Sequence, residues 1–224
     1  MLSVLATPIG NLGDITLRAL ETLKACDAIV CEDTRVASKL LTMLELPKKE
    51  LISFHGHSDD RRTQMIIDRL LAGQHLVLTS DAGTPGISDP GGILVGRARE
   101  ANINVEAIPG PAAFLAALSV CGVPIHRFTY LGFLPLKKGR ATALREIANQ
   151  EMTVVFYESV HRIQRALHDL AAALSDQPDR IVVVARELTK LHEEVVRAPV
   201  KDLPALADKI MQKGEFVVIV GGKK

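Results

Sequence analysis

The sequence predicts an α/β fold with two domains, a mostly parallel N-terminal sheet and a mixed C-terminal sheet. Short apolar runs alternate with amphipathic stretches along the chain, the pattern of strands that alternate with helices. The 224 residues also exceed the roughly 100 to 200 residues of a single domain. In the second half, closely spaced apolar runs predict an antiparallel pair, so we expect that sheet to be mixed.

We place the N-terminal domain at residues 1–123. Its predicted strands are residues 3–6, 28–32, 75–79 and 105–108, and its predicted helices are residues 16–25, 36–44, 59–72 and 92–101. Thr16 has the side chain of a helix cap and directly precedes the apolar stripe of Leu17, Leu20 and Leu23. Strands that each lead into a helix predict a parallel sheet covered on both faces.

A stretch broken by glycine and proline, residues 121–124, is the predicted linker to a C-terminal domain of residues 124–224. The predicted strands there are residues 153–157, 181–185, 195–196 and 216–220, and the predicted helices are residues 140–149, 160–174 and 203–213. Residues 192–200, which follow Arg186 and Glu187, indicate an antiparallel excursion.

The composition is that of a folded protein without a membrane segment. Apolar residues make up 47% of the chain and aromatic residues only 4%, so aliphatic side chains must form the core. No apolar run approaches the roughly 18 residues that span a bilayer, and no basic leader follows Met1, so we expect a cytoplasmic protein. Cys26, Cys31 and Cys121 lack metal or redox spacing, and we expect buried thiols. The formal charge of +1 neither requires nor excludes a nucleic-acid partner.

Glycine and proline concentrate in three loops that directly follow predicted strands, at residues 8–14, 81–92 and 109–113. In an open α/β sheet, ligands bind outside the carboxyl ends of the strands. Glycine lets the backbone approach a ligand, and proline fixes the loop before binding. One such loop is more often only a turn, but three at one sheet edge predict a rigid pocket lined by backbone.

The motifs exclude two common nucleotide sites. The chain has no G-x-x-x-x-G-K-[ST] and no G-x-G-x-x-G after the first strand, so neither a phosphate-binding P-loop nor a dinucleotide fingerprint is present. Asp81 and Asp89 bring carboxylates into the middle loop, which suits an ammonium or a sulfonium better than a pyrophosphate. His55 and His57 lack a third ligand at useful spacing, so we expect no metal site.

Eight long segments, in order along almost the whole chain, can be compared with a known family. They are TPIGNLGDITLRAL (7–20), EDTR (32–35), SDAGTPGISDPG (80–91), IPGPAA (108–113), GFLP (132–135), FYES-x-HR (156–162), ARELTK (185–190) and KGEFVVIV (213–220). Together they resemble the ribosomal RNA small subunit methyltransferase I family, within the tetrapyrrole methylase fold. Its members continue past the last strand into a helical extension, which we expect to be absent because this chain stops at Lys224.

The resemblance implies a class III methyltransferase that holds S-adenosylmethionine in the cleft between its two domains, in a homodimer. The reaction it implies is 2′-O-methylation of a cytidine in 16S ribosomal RNA, either free or in the assembled 30S particle. No metal is implied. Carried over by motif, the cofactor-binding residues are Ile9, Gly10, Asp81, Gly83, Thr84, Ala112, Ala113, Tyr157, Arg186 and Phe216.

A ribose hydroxyl is a poor nucleophile at neutral pH, so a neighbouring group must take up or share its proton. The catalytic candidates are Asp33 and Arg35 in EDTR, with Glu32 as a further carboxylate, and Glu187 and Lys190 in ARELTK. A carboxylate or a desolvated Lys190 is the candidate base, and Arg35 is the candidate phosphate ligand. The same residues fit structural ion pairs equally well, Asp33 with Arg35 and Glu187 with Lys190.

Phosphate contacts dominate affinity for nucleic acids, so RNA binding is expected from a basic cluster. Lys137, Lys138 and Arg140, beside GFLP, are the predicted RNA-binding residues. Phe133 and Tyr157 are candidates for base stacking, although Phe133 fits a packing role as well. Two alternatives stay open: a C-methyltransferase of tetrapyrroles or corrinoids with the same fold, and a non-catalytic ribosome-associated module that binds S-adenosylmethionine.

Overall fold

The computed structural model describes residues 1–56 and 60–223, and the chain divides into two compact units, Met1–Ala112 and Ala113–Lys224. The predicted linker at residues 121–124 lies inside the second unit, where the Thr153 hydroxyl donates a hydrogen bond to the carbonyl of Pro124 over 2.6 Å. The contacts therefore separate the units several residues earlier than the predicted boundary. A domain boundary near residue 124 stays a prediction.

The first unit is a parallel sheet with helices between its strands. The strands are β1 (Leu2–Leu5), β2 (Ala28–Cys31), β3 (Glu50–Ser53), β4 (Leu76–Leu78) and β5 (Val105–Ile108), and the helices are α1 (Leu17–Ala25), α2 (Thr34–Met43), α3 (Asp60–Leu71) and α4 (Gly91–Glu100). The strand order is β3-β2-β4-β1-β5, and every pairing is parallel. Strand β3 was not among the predicted elements.

Alternation along the strands places two hydrophobic clusters on opposite faces of this sheet. Val30 packs with residues of α3 and α4, whereas its neighbours Ile29 and Cys31 pack with residues of α1 and α2. The Thr16 hydroxyl accepts a hydrogen bond from the Ala19 amide over 3.1 Å, which confirms the predicted cap of α1. The predicted parallel sheet with two covered faces is confirmed.

The second unit contains a mixed sheet. Its strands are β6 (Phe128–Phe133), β7 (Thr153–Glu158), β8 (Ile181–Arg186), β9 (Glu194–Pro199) and β10 (Phe216–Val220), and its helices are α5 (Ala113–Val120), α6 (Arg140–Asn149), α7 (Ile163–Ala173) and α8 (Leu203–Lys209). In the order β6-β7-β10-β8-β9, only β6 and β7 are parallel. The predicted mixed sheet is confirmed, whereas β6 and α5 are additional elements.

Candidate cofactor and substrate site

The three glycine- and proline-bearing loops follow three strands that are neighbours in the first sheet. Residues 6–14 follow β1, residues 79–90 follow β4 and residues 109–112 follow β5, and the sheet order places β1 between β4 and β5. Parallel strands end at the same edge, so the three loops emerge side by side. The loops predicted to share one edge do so.

Hydrogen bonds join these loops to one another. Thr7 and Gly83 exchange backbone hydrogen bonds of 2.9 and 3.0 Å, which link the β1 loop to the β4 loop. The Thr84 hydroxyl donates to the Pro111 carbonyl over 2.9 Å, which links the β4 loop to the β5 loop. The Thr7 hydroxyl also donates to the carbonyl of Ser80 over 3.3 Å. The loops thus form one connected backbone surface.

Two glycines permit the close approach of these loops. Gly83 has φ +82°, and a Cβ added there would lie 3.3 Å from Ile9 Cγ2 and 3.6 Å from the Pro111 carbonyl oxygen. A Cβ on Gly110 would lie 2.9 Å from the Cβ of Ala6. Side chains at these positions would push the loops apart, so glycine is required by contact and, at Gly83, also by conformation.

The two carboxylates of the β4 loop have different environments. Asp89 accepts hydrogen bonds from the backbone amides of Gly86 and Gly91, each over 2.8 Å, and therefore closes its own loop. Asp81 is exposed, and one of its oxygens accepts a bond from the Asp33 amide over 3.1 Å. Of the two, Asp81 is the carboxylate left with acceptor capacity for a cationic ligand.

The loop after β2 carries the first pair of catalytic candidates. Asp33 caps α2, accepts from the Arg35 amide over 2.8 Å and pairs with the Arg35 guanidinium, whose Nη2 lies 2.5 Å from Asp33 Oδ2. These hydrogen bonds lower the pKa of Asp33 to about 2, which makes it a weak base. Burial and the charges of Asp81 and Asp89 instead raise the pKa of Glu32.

Arg35 is accessible despite its ion pair. Its side chain is 89% exposed, and it lines an open groove of about 650 Å³ beside α2. Ser38, Lys39 and Thr42 line the same groove, so this face presents cations and hydroxyl groups. An exposed guanidinium in such surroundings can contact a phosphate, as the sequence suggested for Arg35.

The second pair of candidates lies in a segment with an unusual backbone. Glu187 has φ +50° and Thr189 has φ +65°, a conformation rare for a β-branched residue. The hydroxyl oxygen of Thr189 is buried and makes no hydrogen bond within the described residues. Local strain of this kind costs about 1 to 3 kcal/mol per residue and clusters at functional sites. This strain directly after β8 supports a functional role for ARELTK.

Lys190 is bound by two carboxylates of the second unit. Its Nζ lies 2.8 Å from Glu187 Oε1 and 3.0 Å from Glu215 Oε2. Burial disfavours its charge, but the hydrogen bonds to both carboxylates outweigh burial, and the pKa of Lys190 is raised. Lys190 is therefore a cation at neutral pH, and the proposed neutral, desolvated amine does not fit these contacts. The ion pair with Glu187, the alternative open at the sequence level, is present.

Among the cofactor residues expected in the second unit, Tyr157 is half-buried and has a hydroxyl within 3.3 Å of the Phe114 amide, which donates to it. Two others need correction. The ring of Phe216 is buried in the hydrophobic core of the unit, so its side chain cannot line a cofactor. The side chain of Arg186 is also buried and pairs with Glu194 over 3.1 Å.

The predicted RNA-binding residues separate into two kinds. Lys137 and Lys138 are exposed in the turn between β6 and α6. Arg140 does not fit an RNA contact, because its side chain is buried and its Nε donates to Asp169 over 2.8 Å. Sequence reasoning also missed the reason for FYES-x-HR: Glu158 is a fully buried carboxylate, which Arg162 Nε contacts over 2.7 Å.

Several simpler expectations can also be compared with the structure. The three cysteines are buried and unbonded, and burial raises the pKa of Cys31 to about 11, so they are inert thiols as predicted. Within residues 1–56 and 60–223, no cluster of metal-ligating side chains is found; His57, one of the two histidines considered, lies outside these residues. None of the described helices is long and apolar enough to cross a membrane.

Comparison with known proteins gives the family. The model of the Tetrapyrrole (Corrin/Porphyrin) Methylases matches residues 1–204. The chain is 47% identical, over its whole length and 78% of the relative, to Ribosomal RNA small subunit methyltransferase I of Escherichia coli O157:H7. It is 46% identical, over 99% of the chain and 81% of the relative, to the protein of that name from Xylella fastidiosa strain Temecula1.

Among solved structures, uroporphyrin-III C-methyltransferase from Thermus thermophilus, complexed with S-adenosylhomocysteine, superposes with a TM-score of 0.67. The two chains are 20% identical over 98% of this chain and 96% of that one, so the likeness is one of fold. Similarity to the full-length relatives is far higher and runs through every motif described above. The chain thus has the tetrapyrrole methylase fold and is a member of the ribosomal RNA small subunit methyltransferase I family.

Proposed function

We propose that this chain transfers a methyl group from S-adenosylmethionine to the ribose 2′-hydroxyl of a cytidine in small-subunit ribosomal RNA. The observation that carries the proposal is the connected backbone surface of the three loops, in a chain nearly half identical to methyltransferases of small-subunit RNA. The substrate is free RNA or the assembled 30S particle, and the site of action is the cytoplasm. A homodimer of two-domain protomers is also proposed, on the family resemblance alone.

The residues of the first unit fit an S-adenosylmethionine ligand. Asp81 has acceptor capacity for an ammonium group, and the lack of side chains at Gly83 and Gly110 leaves backbone that a ligand can approach. The residues that would hold the cofactor are Ile9, Gly10, Asp81, Gly83, Thr84, Ala112 and Ala113, with Tyr157 from the second unit. When bound, S-adenosylmethionine supplies a methyl group activated on a sulfonium centre. The protein has to orient the ribose hydroxyl and accept its proton.

We assign different tasks to the charged candidates. Glu32 is the proton acceptor favoured within EDTR, because its pKa is raised whereas that of Asp33 is about 2. Asp33 orients Arg35, whose exposed guanidinium contacts an RNA phosphate. Lys190 acts as a cation that Glu187 holds in place, and its positive charge favours the developing alkoxide.

Replacement of Lys190 tests whether charge or proton transfer matters. We expect Lys190→Met to lower kcat by about tenfold or more, because a cation is lost. Lys190→Arg should retain most of the turnover, since arginine preserves the charge but cannot act as a base. Single-turnover methylation assays at saturating cofactor measure both. Wild-type turnover in Lys190→Met, Asp33→Asn and Arg35→Ala, with unchanged cofactor affinity, would remove all three residues from the mechanism.

The pH profile tests the assignment of Glu32. A base must be deprotonated to act, so kcat/KM should rise with pH through the pKa of Glu32, which lies above the ordinary glutamate value. The limb should disappear in Glu32→Gln, with a lower plateau. Asp33, whose pKa is about 2, is ionised across the whole accessible range and should contribute no inflection. An unchanged limb in Glu32→Gln would assign the proton to another group.

Charge reversal at Lys137 and Lys138 tests the RNA surface. The double variant Lys137→Glu/Lys138→Glu should weaken RNA binding by about tenfold or more and reduce the salt dependence by about one per lost phosphate contact. Cofactor affinity should not change. Lys24→Glu/Lys48→Glu, which reverses two exposed lysines of the first unit, is the matched control. Equal RNA affinities of the two double variants across a salt series would exclude this surface.

The reaction itself is tested by mapping the product. The purified chain is incubated with methyl-labelled S-adenosylmethionine and small subunits from cells that lack this methylation, and the labelled nucleotide is identified by mass spectrometry. We expect one 2′-O-methylcytidine. Label in a porphyrinoid extract would favour the tetrapyrrole C-methyltransferase, and tight cofactor binding without any transfer would favour a non-catalytic module.

A further inference from the structure

We propose that Glu158 is a positioning residue, which fixes the RNA-contacting lysine turn (residues 134–139) through Arg140 and Arg162. This inference rests on the proposed function, because it concerns how the RNA is held. It starts from an observation that the cofactor loops do not explain. FYES-x-HR places a carboxylate and an arginine four residues apart, and neither belongs to the candidate cofactor or catalytic groups.

Glu158 lies at the end of β7, and its side chain has no solvent exposure. Its Oε1 accepts from Arg162 Nε over 2.7 Å and from the Ser159 amide over 2.8 Å. Its Oε2 lies 3.6 Å from Arg140 Nη1. The carboxylate therefore lies between two guanidinium groups and determines where both are placed.

Both arginines continue from Glu158 to the backbone of the lysine turn. Arg162 Nη1 donates to the Leu134 carbonyl over 3.1 Å, and Arg140 Nη1 lies 3.5 Å from the Pro135 carbonyl oxygen, to which it donates. The Arg140 amide donates to the Lys137 carbonyl over 3.2 Å. Three carbonyl groups of one short turn are thus held from the protein side, which leaves the lysine side chains facing outward.

The exposed side of the turn combines apolar surface with positive charge. Phe133, directly before the turn, is 53% exposed, and Leu136 is 71% exposed. Lys137 and Lys138 follow, and both are exposed. The Phe133 ring also contacts the Tyr157 ring, with centroids 5.4 Å apart. An aromatic face beside two cations is the combination that binds single-stranded RNA, by stacking and by phosphate contact.

The buried charges suggest a positional role. Burial of ions costs free energy that apolar side chains of similar size would not, so the network does not serve stability most economically. A turn that is ordered before RNA arrives avoids the entropy loss of ordering it on binding. Loosening the turn should therefore weaken RNA binding and raise KM for RNA. It should leave cofactor affinity and kcat at saturating RNA unchanged.

The test compares Arg162→Gln with two controls. Arg165→Gln removes the same charge from the same helix α7, but Arg165 is 78% exposed and contacts only Asp169, over 3.9 Å. Arg180→Lys perturbs a buried arginine of the same unit, whose bonds go to Ile147, Ala148, Gln150, Gln177 and Gly221 rather than to the turn. Arg162→Lys, which keeps the charge beside Glu158, is the conservative variant.

We measure the RNA dissociation constant by filter binding, KM and kcat for methylation, and the rate of tryptic cleavage after Lys137 and Lys138. For Arg162→Gln we expect RNA binding weakened by about tenfold and faster cleavage, with kcat within about twofold of wild type. Arg162→Lys should restore part of both effects, and both controls should resemble wild type.

Two results would overturn the inference: faster cleavage in Arg162→Gln without weaker RNA binding, or equal effects in Arg162→Gln and Arg180→Lys. Absence of methyl transfer by the wild-type chain would instead count against the proposed function. Because RNA binding and tryptic cleavage are measured without turnover, the two failures can be told apart.

Discussion

The substitution Gly83→Val is expected to weaken S-adenosylmethionine binding by about a hundredfold, which corresponds to about 2.7 kcal/mol of binding free energy. Gly83 joins the β1 and β4 loops through paired hydrogen bonds with Thr7, and it does so at φ +82°. Valine is disfavoured in this conformation, and its Cβ would press on Ile9 and on the Pro111 carbonyl. The loops would have to separate, and the backbone surface for the ligand would be lost.

Gly73→Val is the matched control for this prediction. Gly73 has φ +91° in the same unit, so valine meets a comparable conformational penalty there, but a Cβ would have no atom within 4 Å. Both variants should lose stability in urea unfolding, whereas only Gly83→Val should lose the ligand in equilibrium dialysis with labelled cofactor. Gly83→Ala provides a milder variant if valine impairs folding. Near wild-type affinity in a folded Gly83 variant would mean that these loops do not hold the cofactor.

The substitution Arg180→Met is expected to lower the free energy of unfolding by about 3 to 5 kcal/mol. The buried guanidinium of Arg180 donates to the carbonyls of Ile147, Ala148 and Gln150 at the end of α6, over 2.9 to 3.1 Å. It also donates to the carbonyl of Gly221, just after β10, over 2.5 Å. Methionine fills similar volume but leaves these carbonyls without a donor, and unpaired buried acceptors are costly.

Arg165→Met is the control for Arg180→Met, because it makes the same chemical change at an exposed position of the same unit. Its unfolding free energy should lie within about 0.5 kcal/mol of wild type. Urea unfolding followed by circular dichroism compares the two variants. If both unfold at the wild-type urea concentration, Arg180 does not join α6 to the sheet in the way that its hydrogen bonds indicate.

The central strands and the amphipathic helices could be predicted from sequence because burial leaves a regular pattern. The run at β10 was predicted with its observed bounds, since every residue from Phe216 to Val220 is buried. The missed strands β3 and β6 lie at sheet edges, where partial exposure removes the apolar run. Helix α5 is apolar on most sides, so no stripe with the helical period marks it.

The loops of the candidate site could be predicted because glycine and proline act locally, at the ends of strands. The commitments of individual side chains could not. Arg140 belongs by sequence to a basic cluster, but its guanidinium is buried against Asp169, 29 residues further along the chain. Phe216 follows a motif match, but its ring turns into the core of the second unit. Such outcomes depend on tertiary partners that spacing along the sequence does not reveal.

Isothermal titration of the folded wild-type chain with S-adenosylmethionine, and with S-adenosylhomocysteine, tests the central claim most directly. If the three loops of the first unit hold the cofactor, each titration should give a saturable heat with one site per chain, and Asp81→Asn should weaken the binding of both ligands through their shared ammonium group. Titrations without saturable heat, on protein whose fold is verified by circular dichroism, would contradict the account.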